Sequence, residues 1–272
     1  MIIFELLSCI SILSASSSTY SLSPSTRSYS LSPLNFCANF FKNLTILKTS
    51  LAVISPVSNK LYKAFAFYNG MEHYFSEKPG SPLSLKKIRV AARGKDIEMY
   101  SASGIFSKDR LDKGTKALLE LARVKEGSKV LDLGCGNGAV GILIALSCPK
   151  SVVLMSDINS RAVMLAEKNI KLHNLEARAK AVQSDAFSKI KGAFDLILLN
   201  PPQTAGKEIC FRLIEESSAH LNSRGTFQMV ARHNKGGRSL QDKATEVFGN
   251  CQAVGRKSGF TVYLSEKSVD SK

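Results

Sequence analysis

Val130-Leu131-Asp132-Leu133-Gly134-Cys135-Gly136-Asn137-Gly138 is the stretch on which the fold turns. The run 129–133 is apolar apart from Lys129 and Asp132, and it predicts a buried strand. The run 137–146 carries Val140, Ile142, Leu143 and Ile144 and predicts a helix. Between them stand three glycines spaced two apart. Glycines let the backbone turn sharply and lie close to a ligand. The helix N-terminus beyond offers unpaired N–H groups. A strand, a glycine turn and a helix together make the first unit of an α/β sheet.

The alternation continues outward from this point. Strands are predicted at 151–156, 179–184, 194–199 and 226–231, and helices at 160–172, 206–221 and 239–248. The segment 194–199 is almost wholly apolar, as expected of a parallel strand covered on both faces. Strands at 251–255 and 260–265 are joined too tightly for a crossover helix, so they run antiparallel to each other. Upstream lie a helix at 115–124, short strands at 87–92 and 96–100 around a Gly94-Lys95 turn, and a turn-like link at 103–107. The predicted fold is α/β: a doubly wound, mostly parallel sheet closed by an antiparallel hairpin.

Two cofactor classes compete for the glycine loop. Gly134-x-Gly136-x-x-Ala139 fits a dinucleotide fingerprint, with Asp157 near the distance of a ribose-binding acid, which points to a nicotinamide-dependent oxidoreductase. The same residues fit a loop for S-adenosylmethionine. Asp132 separates the two: a carboxylate repels a pyrophosphate but attracts a methionine ammonium and a sulfonium. Two more acids end strands, where ligands bind in open α/β sheets. Asp157 can accept from both ribose hydroxyls; the neighbouring Asn159 is better placed as the cap of the next helix. Asp185 can accept from an adenine amino group, or can serve simply as a turn residue.

Leu198-Leu199-Asn200-Pro201-Pro202 is the most specific motif. Two prolines fix the backbone and remove N–H donors, leaving carbonyls as acceptors. With the Asn200 side-chain oxygen, they can grip both hydrogens of an –NH2 group and aim its lone pair at an electrophile. Asn200, Pro201 and Pro202 are therefore the candidate catalytic residues. No G-x-S-x-G elbow exists for a hydrolase. A non-enzymatic RNA-binding relative is disfavoured by the intact glycine loop and Asn-Pro-Pro motif.

These motifs resemble the class I S-adenosylmethionine-dependent methyltransferases of amino nitrogens. Glu72-His73-Tyr74-Phe75-Ser76-Glu77-Lys78-Pro79, Ser103-Gly104-Ile105-Phe106-Ser107, Leu111-Asp112-Lys113-Gly114-Thr115, His220-Leu221-Asn222-Ser223-x-Gly225 and Gly259-Phe260-x-Val262-Tyr263 narrow the likeness. They are similar to archaeal members of the small-subunit ribosomal RNA guanine-N2 methyltransferases, the RsmC type within the methyltransferase small-domain superfamily. The resemblance covers about 72–267. It implies a Rossmann-like, seven-stranded sheet with the last strand antiparallel. It implies S-adenosylmethionine at Asp132, Gly134, Gly136, Gly138, Asp157 and Asp185, with Phe106, Asp112 and Thr115 nearby, and no metal. It implies a target amine held by Asn200 and Pro201, most often guanine N2 in ribosomal RNA. Adenine N6 and a protein glutamine amide are the alternatives. Many amino-methyltransferases carry an aromatic after the two prolines to stack on a flipped base. Gln203 stands there instead, so another aromatic, such as Phe106, must supply the platform, or the target is not gripped by stacking.

Composition agrees with an RNA partner. The 272 residues hold 37 Lys+Arg against 22 Asp+Glu, a formal +15. Clustered positive charge favours polyanions. Candidate contacts are Lys86, Lys87 and Arg89 with Arg93 and Lys95; Arg232, Lys235 and Arg238; and Arg256 with Lys257. The six cysteines form no C-x-x-C pair and read as reduced thiols of a cytoplasmic protein. The one uncharged stretch longer than 18 residues, 6–26, is serine-rich and not continuously apolar, so no membrane span is predicted. Residues 1–70 stand apart, with one acid and 12 serines between Ser8 and Ser32. They read as an over-extended gene start, a targeting segment or a disordered extension, with the methyltransferase domain expected at 71–272.

Overall fold

The computed structural model describes residues 82–105 and 109–269. The expectations for 1–70, for the 72–79 segment and for Phe106 lie outside these residues. The chain begins with a hairpin, β1 (Leu85–Ala92) and β2 (Lys95–Ala102), and helix α1 (Lys113–Leu121). Then come β3 (Lys129–Leu133), α2 (Ala139–Ser147), β4 (Val152–Asp157), α3 (Ser160–Leu172), β5 (Ala179–Gln183) and β6 (Phe194–Leu199). A short 3-10 turn (Gln203–Ala205) leads into α4 (Lys207–Ala219) and β7 (Leu221–Ala231). Beyond a π-type turn (His233–Gly237) follow α5 (Arg238–Phe248), β8 (Gln252–Lys257) and β9 (Phe260–Glu266).

Seven strands form one sheet in the order β5-β4-β3-β6-β7-β9-β8. Those from β3 to β7 pair in parallel, and β9 runs antiparallel to both β7 and β8. The predicted doubly wound architecture is the observed one. Strand periodicity divides the core in two. Val130, Leu196 and Leu198 face a cluster with Leu118 of α1 and Ile142 of α2. Leu131, Ile197 and Leu199 face another with Ile214 of α4 and Ala244 of α5. Every second residue thus serves one face.

Three boundaries shift for identifiable reasons. The hairpin turns at Arg93-Gly94, both at positive φ, and not at Gly94-Lys95; primed turns match the twist of the flanking strands. Helix α1 starts two residues early because Asp112 caps it, accepting from the Gly114 and Thr115 N–H groups. Helix α2 starts two residues late because Gly138, in the left-handed region, is its cap. A Cβ at Gly138 would also sit 3.0 Å from Met155 Sδ.

Asn169 of α3 holds the hairpin to the glycine loop. Its Oδ1 accepts from Tyr100 N–H at 2.7 Å, and its Nδ2 donates to the carbonyls of Tyr100 and Asn137 at 2.9 and 3.0 Å. The side chain is fully buried. Asn169→Ala is expected to lower unfolding free energy by about 2–4 kcal/mol, since several buried backbone groups lose partners. Denaturant titration would measure this, and a change below about 1 kcal/mol would remove the assigned role.

Candidate active site

The carboxyl ends of β3, β4 and β6, and the turn after β5, open onto one cavity of about 520 Å³. That volume suits a small-molecule ligand. Among its walls are Asp132, Gly134, Gly136, Asp157, Asp185, Asn200, Pro201, Pro202, Asp112 and Thr115. The topology therefore gathers most residues singled out in the sequence. Gly138 is not part of the wall, and acts instead through the entry of α2.

The glycine loop is strapped to β4. The Gly134 and Cys135 N–H groups donate to the Ser156 carbonyl at 2.8 and 2.9 Å. Asp157 completes the strap: Oδ2 accepts from Gly136 N–H at 2.8 Å and Oδ1 from Asn159 N–H at 2.9 Å. Asn159 caps α3 through the Arg161 and Ala162 N–H groups, as expected. Asp157 thus shapes the loop while its carboxyl lines the cavity.

Asp132 is 3% exposed and accepts from Gly141 N–H at 2.9 Å. Burial pushes its carboxyl up to about 7, against the bonding of Gly141 and with a contribution from the Asp157 charge. Burial also raises Asp157. Neither acid pairs with a cationic side chain among the described residues. Two desolvated carboxylates on one cavity fit a ligand that brings positive charge.

Asp185 differs. Arg212 of α4 grips both its oxygens, through Nη2 to Oδ1 and Nη1 to Oδ2. Both groups are about half exposed at the cavity rim. Sequence reading missed Arg212, which lies on an ordinary amphipathic helix.

At the end of β6, Asn200 Nδ2 donates to Thr115 Oγ1 at 3.0 Å. That bond fixes the amide plane. No donor among the described residues reaches Oδ1, which is left as an acceptor. Pro202 has φ −76° and ψ 71°, an inverse γ-turn. In it the Gln203 N–H donates to the Pro201 carbonyl at 2.8 Å, and the Ala205 N–H donates to the Pro202 carbonyl at 2.8 Å. The carbonyls are not wholly free, as the two prolines alone suggested; each keeps one lone pair. Thr115 is thus tied to the Asn-Pro-Pro turn.

In the first basic cluster all but the exposed Lys95 have partners among the described residues. Lys86 pairs with Asp109, Lys87 with Glu98 and Arg89 with Asp96. Arg93 donates to the Leu119 and Ala122 carbonyls. Lys257 pairs with Glu120. By contrast, Arg232, Lys235, Arg238 and Arg256 are exposed and have no acidic partner among the described residues. Arg232 lines the cavity at the end of β7. Among the described residues, no cluster of acids, histidines and cysteines could hold a metal ion, and no helix is long and apolar enough to cross a membrane.

Comparison with known proteins agrees with this geometry. The family model for the methyltransferase small domain matches residues 96–264. The uncharacterized protein YbxB of Bacillus subtilis is 34% identical over 199 residues, spanning 72% of this chain and 98% of that one. Ribosomal RNA small subunit methyltransferase C of Haemophilus influenzae is 39% identical over 140 residues, 50% of this chain and 42% of that protein. The chain thus spans about half the length of such relatives. The T. thermophilus 16S rRNA N2 G1207 methyltransferase (RsmC), in complex with AdoMet and guanosine, shares the fold with TM-score 0.60 and 23% identity, over 70% of this chain and 52% of that one. Sequence, sheet order and site together make the chain a member of the methyltransferase small-domain family, an S-adenosylmethionine-dependent methyltransferase.

Proposed function

We propose that this methyltransferase acts on an exocyclic amino group, guanine N2 in small-subunit ribosomal RNA. The observation that carries the reading is Asn200: its Nδ2 is tied to Thr115, and no donor among the described residues reaches its Oδ1 beside the cavity. An acceptor held in this way, next to the spare lone pair of the Pro201 carbonyl, suits a group that offers two N–H donors. The names of the Haemophilus and T. thermophilus relatives support ribosomal RNA and guanine over adenine N6 or a glutamine amide. Arg232 on the cavity wall, with the exposed Lys235, Arg238 and Arg256, none of which has an acidic partner among the described residues, offers positive charge to phosphates. The methyltransferase domain is proposed to span 71–272 and to act in the cytoplasm.

When bound, S-adenosylmethionine supplies a methyl group on a sulfonium. Asp132 and Asp157 offer negative charge toward its cationic and hydroxyl groups. Asn200 and Pro201 orient the target nitrogen and favour the positive charge that develops on it. Conjugated amines are weak nucleophiles, so orientation carries the rate; well-placed reactants recover about 7–11 kcal/mol of barrier. Asp185 and Arg212 form the outer edge of the cofactor site in this reading.

Thr115 positions Asn200, so Thr115→Val is expected to reduce kcat by about 5- to 10-fold, the worth of one buried hydrogen bond. Cofactor affinity should stay near that of the wild type, and Thr115→Ser should restore the rate. Equal loss of cofactor binding in Thr115→Val would instead make Thr115 a cofactor contact.

The function itself is tested by incubating the full chain with tritiated S-adenosylmethionine, unmethylated small ribosomal subunits and their proteins. Label in RNA supports the reading. Label confined to protein would shift it to the glutamine amide.

A further inference from the structure

The aromatic expected after the two prolines is missing, since Gln203 is exposed and polar. The fold brings another ring to the cavity from a distant part of the chain. Phe260 opens β9, beside the end of β7, where Ala231 pairs with Thr261. Phe260 is the one aromatic among the described residues that line the cavity, and it is only partly buried. Its place relative to Asn200 is fixed through α1. Thr115 bonds Asn200, and at the preceding residue, Gly114, a Cβ would lie 2.9 Å from Phe260 Cε1. Only a glycine lets the ring come this close. Arg232, also on the cavity wall, holds its guanidinium 4.8 Å from the ring centroid.

We propose that Phe260, braced by Arg232, is the stacking platform for the target base, in place of the aromatic that Gln203 does not supply. The proposal rests on the amino-methyltransferase reading above and narrows its target class. A glutamine amide has too little π surface to benefit from a ring at this position, whereas every nucleobase does. The guanidinium over the ring also adds a cation against which a base can lie. The arrangement therefore selects a nucleobase. Exposed Lys235 and Arg238, which follow Arg232 in the chain, and Arg256, whose strand partner Thr261 adjoins Phe260, offer positive charge to its phosphates.

Phe260→Leu keeps an apolar side chain against the core while removing the π surface; Phe260→Tyr keeps both. Two readouts on the full chain separate this proposal from the broader reading. The first is binding of a short single-stranded RNA containing guanosine, at fixed ionic strength. The second is methyl transfer to small-subunit RNA. Base stacking predicts a loss of about 5- to 150-fold in RNA affinity, and in kcat/KM, for Phe260→Leu. Phe260→Tyr should stay close to the wild type, and the S-adenosylmethionine Kd should be unchanged in both. Wild-type RNA affinity in Phe260→Leu would overturn the proposal. So would equal loss in Phe260→Tyr, or a parallel fall in S-adenosylmethionine affinity. If the wild-type chain binds RNA through Phe260 yet transfers no methyl group to it, the platform stands and the functional reading falls.

Discussion

Asn200→Ala is expected to cut methyl transfer by about 10²- to 10³-fold, the usual cost of removing one polar group that stabilises developing charge. S-adenosylmethionine affinity should be nearly unchanged. The reasons are local. Asn200 reaches the cavity from the end of β6, whereas the loop that would hold the cofactor hangs on Ser156 and Asp157 of β4. Among the described residues the side chain is anchored at one atom, Nδ2, so truncation frees a single Thr115 hydroxyl and exposes little core. Asn200→Asp sharpens the test. It preserves shape and acceptor capacity but cannot donate to Thr115 when ionised, and it should fall between the wild type and Asn200→Ala. Rate and affinity are read separately by single-turnover methylation and calorimetric titration. Equal loss of both would place Asn200 in the cofactor site.

The second large effect concerns Asp132 and pH. Burial holds this carboxyl at about 7 in the folded chain, against an ordinary 3.8. The folded state then binds a proton more readily than the unfolded one. The free protein should be most stable below about pH 4, as far as this group is concerned, and should lose up to about 4 kcal/mol as pH rises from there through about 7. A cationic ligand reverses the preference, because it favours the carboxylate. Cofactor binding should therefore release a proton, and its affinity should rise roughly tenfold between about pH 5.5 and 7. Calorimetry in buffers of different ionisation enthalpy detects that proton. Affinity independent of pH over this range would mean that Asp132 does not meet the cofactor's positive charge.

Much of this was legible in the sequence because it depends on local patterns. The glycine spacing of 134, 136 and 138, the strand-ending acids and Asn200-Pro201-Pro202 all lie at strand ends, and the α/β alternation brings strand ends together. The hairpin at β8 and β9 followed from the short link between two apolar runs. What was not legible depends on long-range contacts. Asn169 looks like any polar residue of an amphipathic helix until the β1–β2 hairpin is laid across it. Arg212 becomes a site residue only when α4 packs beside the turn after β5. Lys86, Lys87 and Arg89 looked like an RNA-binding cluster, but strand register sets Glu98 and Asp96 within reach of Lys87 and Arg89. Phe260 lies far from Asn200 along the chain, and no motif records that the two share a cavity. The ring arrives there because β9 inserts between β7 and β8.

The most direct test of the central claim is the identity of the methylated nucleoside. Small-subunit RNA labelled by the full chain with S-adenosylmethionine is digested to nucleosides and separated by chromatography with mass detection. N2-methylguanosine, lost in Asn200→Ala, is the predicted product. N6-methyladenosine, or label recovered only in protein, would contradict the account.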